Sequence, residues 1–222
     1  MNERYIRQTM IPGIGEAGQE KLKNAKVLIV GIGGLGSPIS IYLTAAGVGQ
    51  IGLIDDDIVS KSNLQRQILY TEAEIGQSKV ECACRRLSAL NSSTRFETYP
   101  NRFTPDNANR LVSTYDIIVD GCDNAATRYL IDDVCSRFKK PYVYGSISEF
   151  RGQVSVFNYR GGSRYSDLYP RPEVIPPARP GGVIGCMEAA EVIKIIAGYG
   201  EVLSGKLFLL DTQTLQHEII EI

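Results

Sequence analysis

A handful of polar side chains stand out in this chain for their type and order. Asp55, Asp57, Asn63, Arg66 and Lys79 fall in one stretch, and Asp123 and Asn124 come later. The stretch follows a glycine run, Gly31-Ile32-Gly33-Gly34-Leu35-Gly36, with G-x-G-x-x-G spacing. Glycines at that spacing permit a tight turn and close approach of backbone to phosphate. The helix that follows offers unpaired N–H groups and the positive end of its dipole. Asp55 comes 19 residues after Gly36, where an acid can accept a hydrogen bond from a ribose hydroxyl. This fingerprint alone points to a dinucleotide, NAD or FAD. The residues after it point elsewhere. Arg66 and Lys79 can neutralise phosphate oxygens and Asn63 can donate to them, which a nucleoside triphosphate needs and a dehydrogenase does not. For any one of these residues, an exposed surface charge is the plain alternative. Asp123 follows an apolar strand, and ligands of open α/β sheets sit beyond the carboxyl ends of strands. There it could hold Mg²⁺ on the phosphates, or cap the helix that begins at Asn124.

The composition excludes other chemistries. Of 222 residues one is histidine, His217 near the closing strand, which argues strongly against a Ser/His/Asp mechanism and a multi-histidine metal site. Lys and Arg total 24 against 25 Asp and Glu, for a net charge of −1. That balance argues against a general nucleic-acid binder. Hydrophobic residues make up 43% and charged residues 22%, an ordinary globular balance. The 22 glycines are about one residue in ten, above the usual share of about 7%. The five cysteines, Cys82, Cys84, Cys122, Cys135 and Cys186, include no C-x-x-C pair. An odd count without a signal peptide implies free thiols in a reducing compartment, hence a cytoplasmic protein. No apolar run approaches the roughly 18 residues needed to span a bilayer, so no membrane partner is expected.

These residues need elements to position them. Lys26–Val30 is a short apolar β-branched run that reads as a buried parallel strand. The glycine turn, a helix over 37–46 stopped near Gly47, and a strand over 51–54 complete a βαβ unit. Further helices are expected over 16–24, 78–90, 104–112, 124–139 and 182–197. In the second, Val80, Ala83, Leu87 and Leu90 form one stripe. Further strands are expected over 95–99, 115–120, 141–146 and 153–158, with a closing antiparallel pair over 206–210 and 216–222. The fold class is therefore α/β: a Rossmann-like, mainly parallel sheet flanked by helices, with antiparallel strands at its C-terminal edge. Residues 163–180 hold several prolines and read as an extended, flexible loop.

Taken together, Arg4-Tyr5-Ile6-Arg7-Gln8, the Gly31–Gly36 loop, Ser62-Asn63-Leu64-Gln65-Arg66-Gln67, Lys79-Val80-Glu81, Asp120-Gly121-Cys122-Asp123-Asn124 and Gly185-Cys186-Met187-Glu188-Ala189-Ala190-Glu191 resemble the E1-like family. Within it the chain is most similar to the ThiF/MoeB/HesA group of sulfur-carrier adenylyltransferases, and above all to ThiF. The likeness spans essentially the whole chain, read as a single adenylation domain over 1–222. It implies ATP-dependent activation of the C-terminal Gly-Gly carboxylate of a small ubiquitin-like carrier, giving an acyl-adenylate and pyrophosphate. By the matching motifs, Gly34 approaches the nucleotide through its backbone and Asp55 binds ribose, with Gly31, Gly33 and Asp57 also in the ATP site. Asn63, Arg66 and Lys79 hold phosphates, and Asp123, beside Asn124, coordinates Mg²⁺. Arg7 reaches into the partner subunit's site, so the resemblance implies a homodimer to which residues 1–25 contribute. Carboxylate attack on a polyanion needs charge screening and alignment more than a general base, in keeping with the scarcity of histidine.

The chain departs from the group in two places. Many relatives carry zinc on two C-x-x-C pairs. Here Arg164-Tyr165-Ser166-Asp167 stands at the first, and the second would lie beyond Ile222, so zinc is expected to be absent. Relatives that bond covalently to the carrier use a cysteine in the crossover loop, and 163–180 has none. The other cysteines read as core. The absence of a rhodanese-like domain leans the reading toward thiamine synthesis. A molybdopterin-synthase activating enzyme or a tRNA-modifying relative is the alternative. A nicotinamide or flavin oxidoreductase and a non-catalytic partner-binding homologue are the competing readings of other classes.

Overall fold

The structure is a computed structural model and describes residues 3–170 and 182–222. A 3-10 turn at Glu3–Tyr5 leads into α1 (Ile6–Thr9) and α2 (Gly15–Asn24). Then come β1 (Lys26–Val30), α3 (Gly36–Ala46), β2 (Gln50–Ile54), α4 (Lys79–Leu90), β3 (Arg95–Tyr99) and α5 (Pro105–Thr114). Next are β4 (Ile117–Asp120), α6 (Ala125–Phe138), β5 (Tyr142–Ser148), β6 (Arg151–Phe157) and α7 (Tyr165–Leu168). The chain closes with α8 (Gly182–Ala197), β7 (Lys206–Asp211) and β8 (His217–Glu221).

All strands join one sheet in the order β3-β2-β1-β4-β5-β6-β7-β8. The first five run parallel and the last three are added antiparallel. The sheet is Rossmann-like, as the alternation of elements implies. Strand β1 shows why its sequence is apolar throughout. Val27 and Ile29 face a core shared with α3, α4 and α8, while Leu28 and Val30 face a second core with α5 and α6. A continuous run of aliphatics thus fills two layers at once, each side chain contributing about 1.5–3 kcal/mol by burial. Helix α3 ends where Gly47 takes a left-handed φ of 87°.

Several boundaries differ from the sequence reading. The strand expected from Tyr115 begins at Ile117, because α5 runs on to Thr114 and Tyr115 is its buried C-cap. Strands β5 and β6 extend beyond Ser146 and before Gln153, meeting at Glu149 with a φ of 54°. The added residues are held by backbone pairing, Ile147 with Gly152 and Ser148 with Arg151. Leu90, the last residue of α4, is exposed, while Val80, Ala83 and Leu87 are buried. The expected loop over 163–180 contains α7. The fully buried Asp132 gathers it, accepting from the backbone N–H groups of Tyr165 at 3.1 Å and Ser166 at 3.4 Å and from Arg164 at 2.9 Å. Its proline-rich remainder, 171–181, lies outside the described residues. Cys82 and Cys135 are core, but Cys84, Cys122 and Cys186 are only half-buried, which corrects the reading of Cys122 and Cys186 as core.

Candidate active site

The neighbouring strands β1 and β4 send their following chains to opposite sides of the sheet, so a crevice opens beyond their carboxyl ends. Two glycine turns form its floor. Gly31 donates to Ile54 O at 2.8 Å and Gly121 donates to Val30 O at 2.7 Å. Gly31 has a φ of 90°, and a Cβ there would lie 2.6 Å from the carbonyl oxygen of Gly121. Any side chain would therefore push the two turns apart.

The crevice is a cleft of about 760 Å³, and every residue expected to bind nucleotide lines it, from Gly31 through Asn124. Arg7 does not; it is exposed on α1, away from the cleft of its own chain. Asp55 braces the glycine turn. Its Oδ2 accepts from Ile32 N at 2.7 Å and its Oδ1 from Asp57 N at 2.8 Å. Burial pushes the Asp55 carboxyl above its ordinary value, against the pull of Lys79 and these two N–H groups. Asn63 accepts from Ser60 N at 3.0 Å through Oδ1, which leaves its amide N–H groups as donors. Arg66 donates from Nη1 to Ser62 O at 3.0 Å and lays its stem against Gly34. Lys79 is buried and donates to Asp57 Oδ2 at 2.7 Å.

Asp55, Asp56 and Asp57 offer oxygens within 4.8 Å of one another. Their carboxylates are already engaged: Asp55 on the backbone, Asp56 on Arg102 at 2.7 Å, and Asp57 on Lys79. Asp123 differs. It is exposed to the cleft, and its carboxylate has no hydrogen-bond or ion-pair partner among the described residues. It does not cap α6, which corrects the alternative reading of this residue. Asn124 is the cap, accepting from Thr127 N at 2.9 Å through Oδ1. A free carboxylate that lines the same glycine-floored cleft as Arg66 and Lys79 fits Mg²⁺ carried on a polyphosphate, since Mg²⁺ prefers few carboxylates plus phosphate oxygens.

Sequence reasoning gave no role to the residues beneath this layer. Asp120 and Arg128 form a buried ion pair of 2.9 Å. Tyr70 donates from its buried hydroxyl to Ile32 O at 2.7 Å. Glu188 is fully buried, and neither carboxyl oxygen has a hydrogen-bond partner among the described residues. An acid closing an apolar strand, followed by arginine eight residues later, was the available signal for the pair.

The model of the ThiF family matches residues 5–222. The chain is 45% identical over 233 residues to the probable adenylyltransferase/sulfurtransferase MoeZ of Mycobacterium tuberculosis, covering 99% of this chain and 59% of the relative. It therefore spans about three fifths of that relative's length. It is 43% identical over 224 residues to the sulfur carrier protein adenylyltransferase of Thermus thermophilus, covering 94% of this chain and 83% of the relative. The crystal structure of E. coli MccB with ATP matches all of this chain and 72% of its own, with a TM-score of 0.87 and 26% identity.

Proposed function

The chain belongs to the ThiF family, and from that premise we propose that it is an ATP-dependent adenylyltransferase for a ubiquitin-like sulfur carrier ending in Gly-Gly. The carrier's C-terminal carboxylate attacks the α-phosphate of ATP. A bond forms between carboxylate oxygen and α-phosphorus, the bond to the bridging oxygen breaks, and that oxygen leaves with its electron pair as pyrophosphate. Arg66 and Lys79 neutralise phosphate charge as it shifts toward the leaving group, and Asn63 donates to a phosphate oxygen. Asp55 serves the ribose side, Asp57 holds Lys79 in the cleft, and the backbone at Gly33 and Gly34 lets the phosphates approach closely. Asp123 would hold Mg²⁺, which when bound would supply Lewis-acid screening of the triphosphate. The finer parts of the proposal are a thiamine-pathway carrier of the ThiS type and a homodimer in which Arg7 serves the partner's site.

One observation carries the reading. Asp123 is a free carboxylate in a cleft whose other acids are engaged, and it shares that cleft with Arg66 and Lys79. The test is ATP–pyrophosphate exchange with purified carriers. Exchange is expected with a ThiS-like carrier and Mg-ATP, and its loss in Arg66→Ala and Asp123→Ala with folding intact. Exchange with a MoaD-like carrier instead assigns the molybdopterin branch. Absence of exchange with every Gly-Gly carrier refutes the proposal, and stabilisation by NAD but not ATP replaces it with an oxidoreductase.

A further inference from the structure

Asp123 sits on a loop of four residues, 121–124, between β4 and α6. Both ends of that loop are gripped from below. Asp120 Oδ1 accepts from Cys122 N at 2.8 Å. Arg128 Nη2 donates to Cys122 O at 3.2 Å and to Gly145 O at 3.3 Å. The peptide groups on both sides of Cys122 are thus fixed, one by the acid and one by the guanidinium. The two grips are tied to each other, since Arg128 Nε donates to Asp120 Oδ2 at 2.9 Å. Tyr142 donates its hydroxyl to the same oxygen at 3.0 Å. On the far side of Asp123, Asn124 is locked as the cap of α6.

Arg128 is 2% exposed and Asp120 fully buried. Arg128 also reaches Ser146 Oγ at 3.4 Å and lies over the ring of Tyr144. Four of its five N–H groups are directed at the protein's own acceptors, so Arg128 borders the cleft mainly as a brace of the loop. A buried ion pair is seldom worth its desolvation as stability alone. Here it holds one loop in one shape, and that loop carries the cleft's free carboxylate.

We infer that Arg128 and Asp120 are positioning residues: the buried pair fixes the peptide before Asp123 and so sets where that carboxylate holds Mg²⁺ on the bound nucleotide. This inference rests on the proposed ATP site. Residues that orient a metal-binding carboxylate typically change metal affinity or activity by about 10–100-fold when altered.

The experiment measures ATP binding to the full chain by calorimetry, with Mg²⁺ and with EDTA, and takes the ratio of the two affinities. Arg128→Gln and Asp123→Ala should each lower this ratio by about ten-fold or more, leaving affinity in EDTA within about three-fold. The double variant Arg128→Gln/Asp123→Ala should be no worse than Asp123→Ala alone, because both changes act through one carboxylate. Independent, additive losses would overturn the inference and make Arg128 a direct ligand of the nucleotide. Tyr142→Phe removes one hydrogen bond to Asp120 and leaves the ion pair in place. It should lower the ratio by less, and it decides the matter if Arg128→Gln does not fold. An unchanged ratio in Tyr142→Phe would then overturn the inference. A wild-type chain that binds no ATP refutes the proposed function; one that binds Mg-ATP with a ratio indifferent to these variants refutes this inference alone.

Discussion

The ammonium of Lys79 lies 2.7 Å from Oδ2 of Asp57, and the two side chains differ sharply in exposure, 4% against 64%. The cation is inside and its anion is at the water's edge. Removing either partner should therefore have a different consequence. Lys79→Met replaces a buried charge by an apolar side chain of similar length and leaves a solvated aspartate. Its melting temperature should stay at or above wild type while adenylation is lost. Asp57→Ala leaves the buried ammonium with the charge of Asp55 alone and should cost about 1–3 kcal/mol, below the cost of breaking a fully buried pair. Thermal melts of the two variants check this. A Lys79→Met protein less stable than Asp57→Ala would contradict it.

The glycine turn separates structural from ligand-facing positions. A Cβ at Gly31 would meet the Gly121 carbonyl at 2.6 Å, and one at Gly36 would meet the Gly31 carbonyl at 2.2 Å. Backbone cannot give way there, so Gly31→Ala and Gly36→Ala should each destabilise by about 1–3 kcal/mol. At Gly33 and Gly34 the nearest atoms belong to Gln67 and Arg66 at 3.5 Å, ordinary contact distance. Gly34→Ala should keep wild-type stability within about 0.5 kcal/mol. It should still weaken ATP binding, because the new methyl group occupies space the phosphates need. Denaturant titration with nucleotide binding separates the two classes. Equal stability loss at Gly34 and Gly36 would dissolve the distinction.

The parallel half of the fold and the upper layer of the site were legible because their residues obey short-range rules. Val27 to Val30 are apolar on both faces, the glycine spacing is local, and Arg66 and Lys79 each follow a short, mostly polar string, Asn63-Leu64-Gln65 and Gly76-Gln77-Ser78. The lower layer was not legible, because its logic is long-range. Asp120 is followed within a few residues by Asp123 and Asn124, and nothing in that string says which of the three is buried, free or a cap. Only the approach of β5, which brings Gly145 O and Tyr142, settles that Asp120 faces inward. Helix α7 was hidden for the same reason, since Asp132 organises it from 32 residues away.

Glu188 gives a pH-dependent prediction. It lies on α8 against Gly145, where a Cβ would fall 2.2 Å from its carboxyl carbon. Burial, followed by the charge of Asp120, pushes its carboxyl well above the ordinary value of 4.5, and Arg128 pulls the other way. The folded chain thus holds this proton more tightly than the unfolded chain. Glu188 therefore lowers stability progressively as pH rises above about 4.5, by up to about 1.4 kcal/mol per pH unit, until its folded value is reached. Glu188→Gln keeps the shape and removes the titration. Its stability relative to wild type should increase from pH 5 to pH 8, as read from melts at each pH. A difference that stays flat over that range would mean the acid is solvated or paired in solution.

Arg7 supplies the last prediction, because its position is the least explained by its own chain. It is exposed on α1 and absent from the lining of the cleft. If it completes the site of a second copy, Arg7→Ala and Asp123→Ala should both be inactive alone and active when mixed. The arithmetic is definite. Random pairing of equal amounts makes about half the dimers mixed, and each mixed dimer has one site with both residues intact, restoring about a quarter of wild-type sites. The check is pyrophosphate exchange after the two variants are denatured and refolded together, with each variant refolded alone as control. Recovery near that level requires Arg7 to act across the interface. No recovery, with wild type regaining activity in the same procedure, would confine Arg7 to its own chain or remove it from the chemistry.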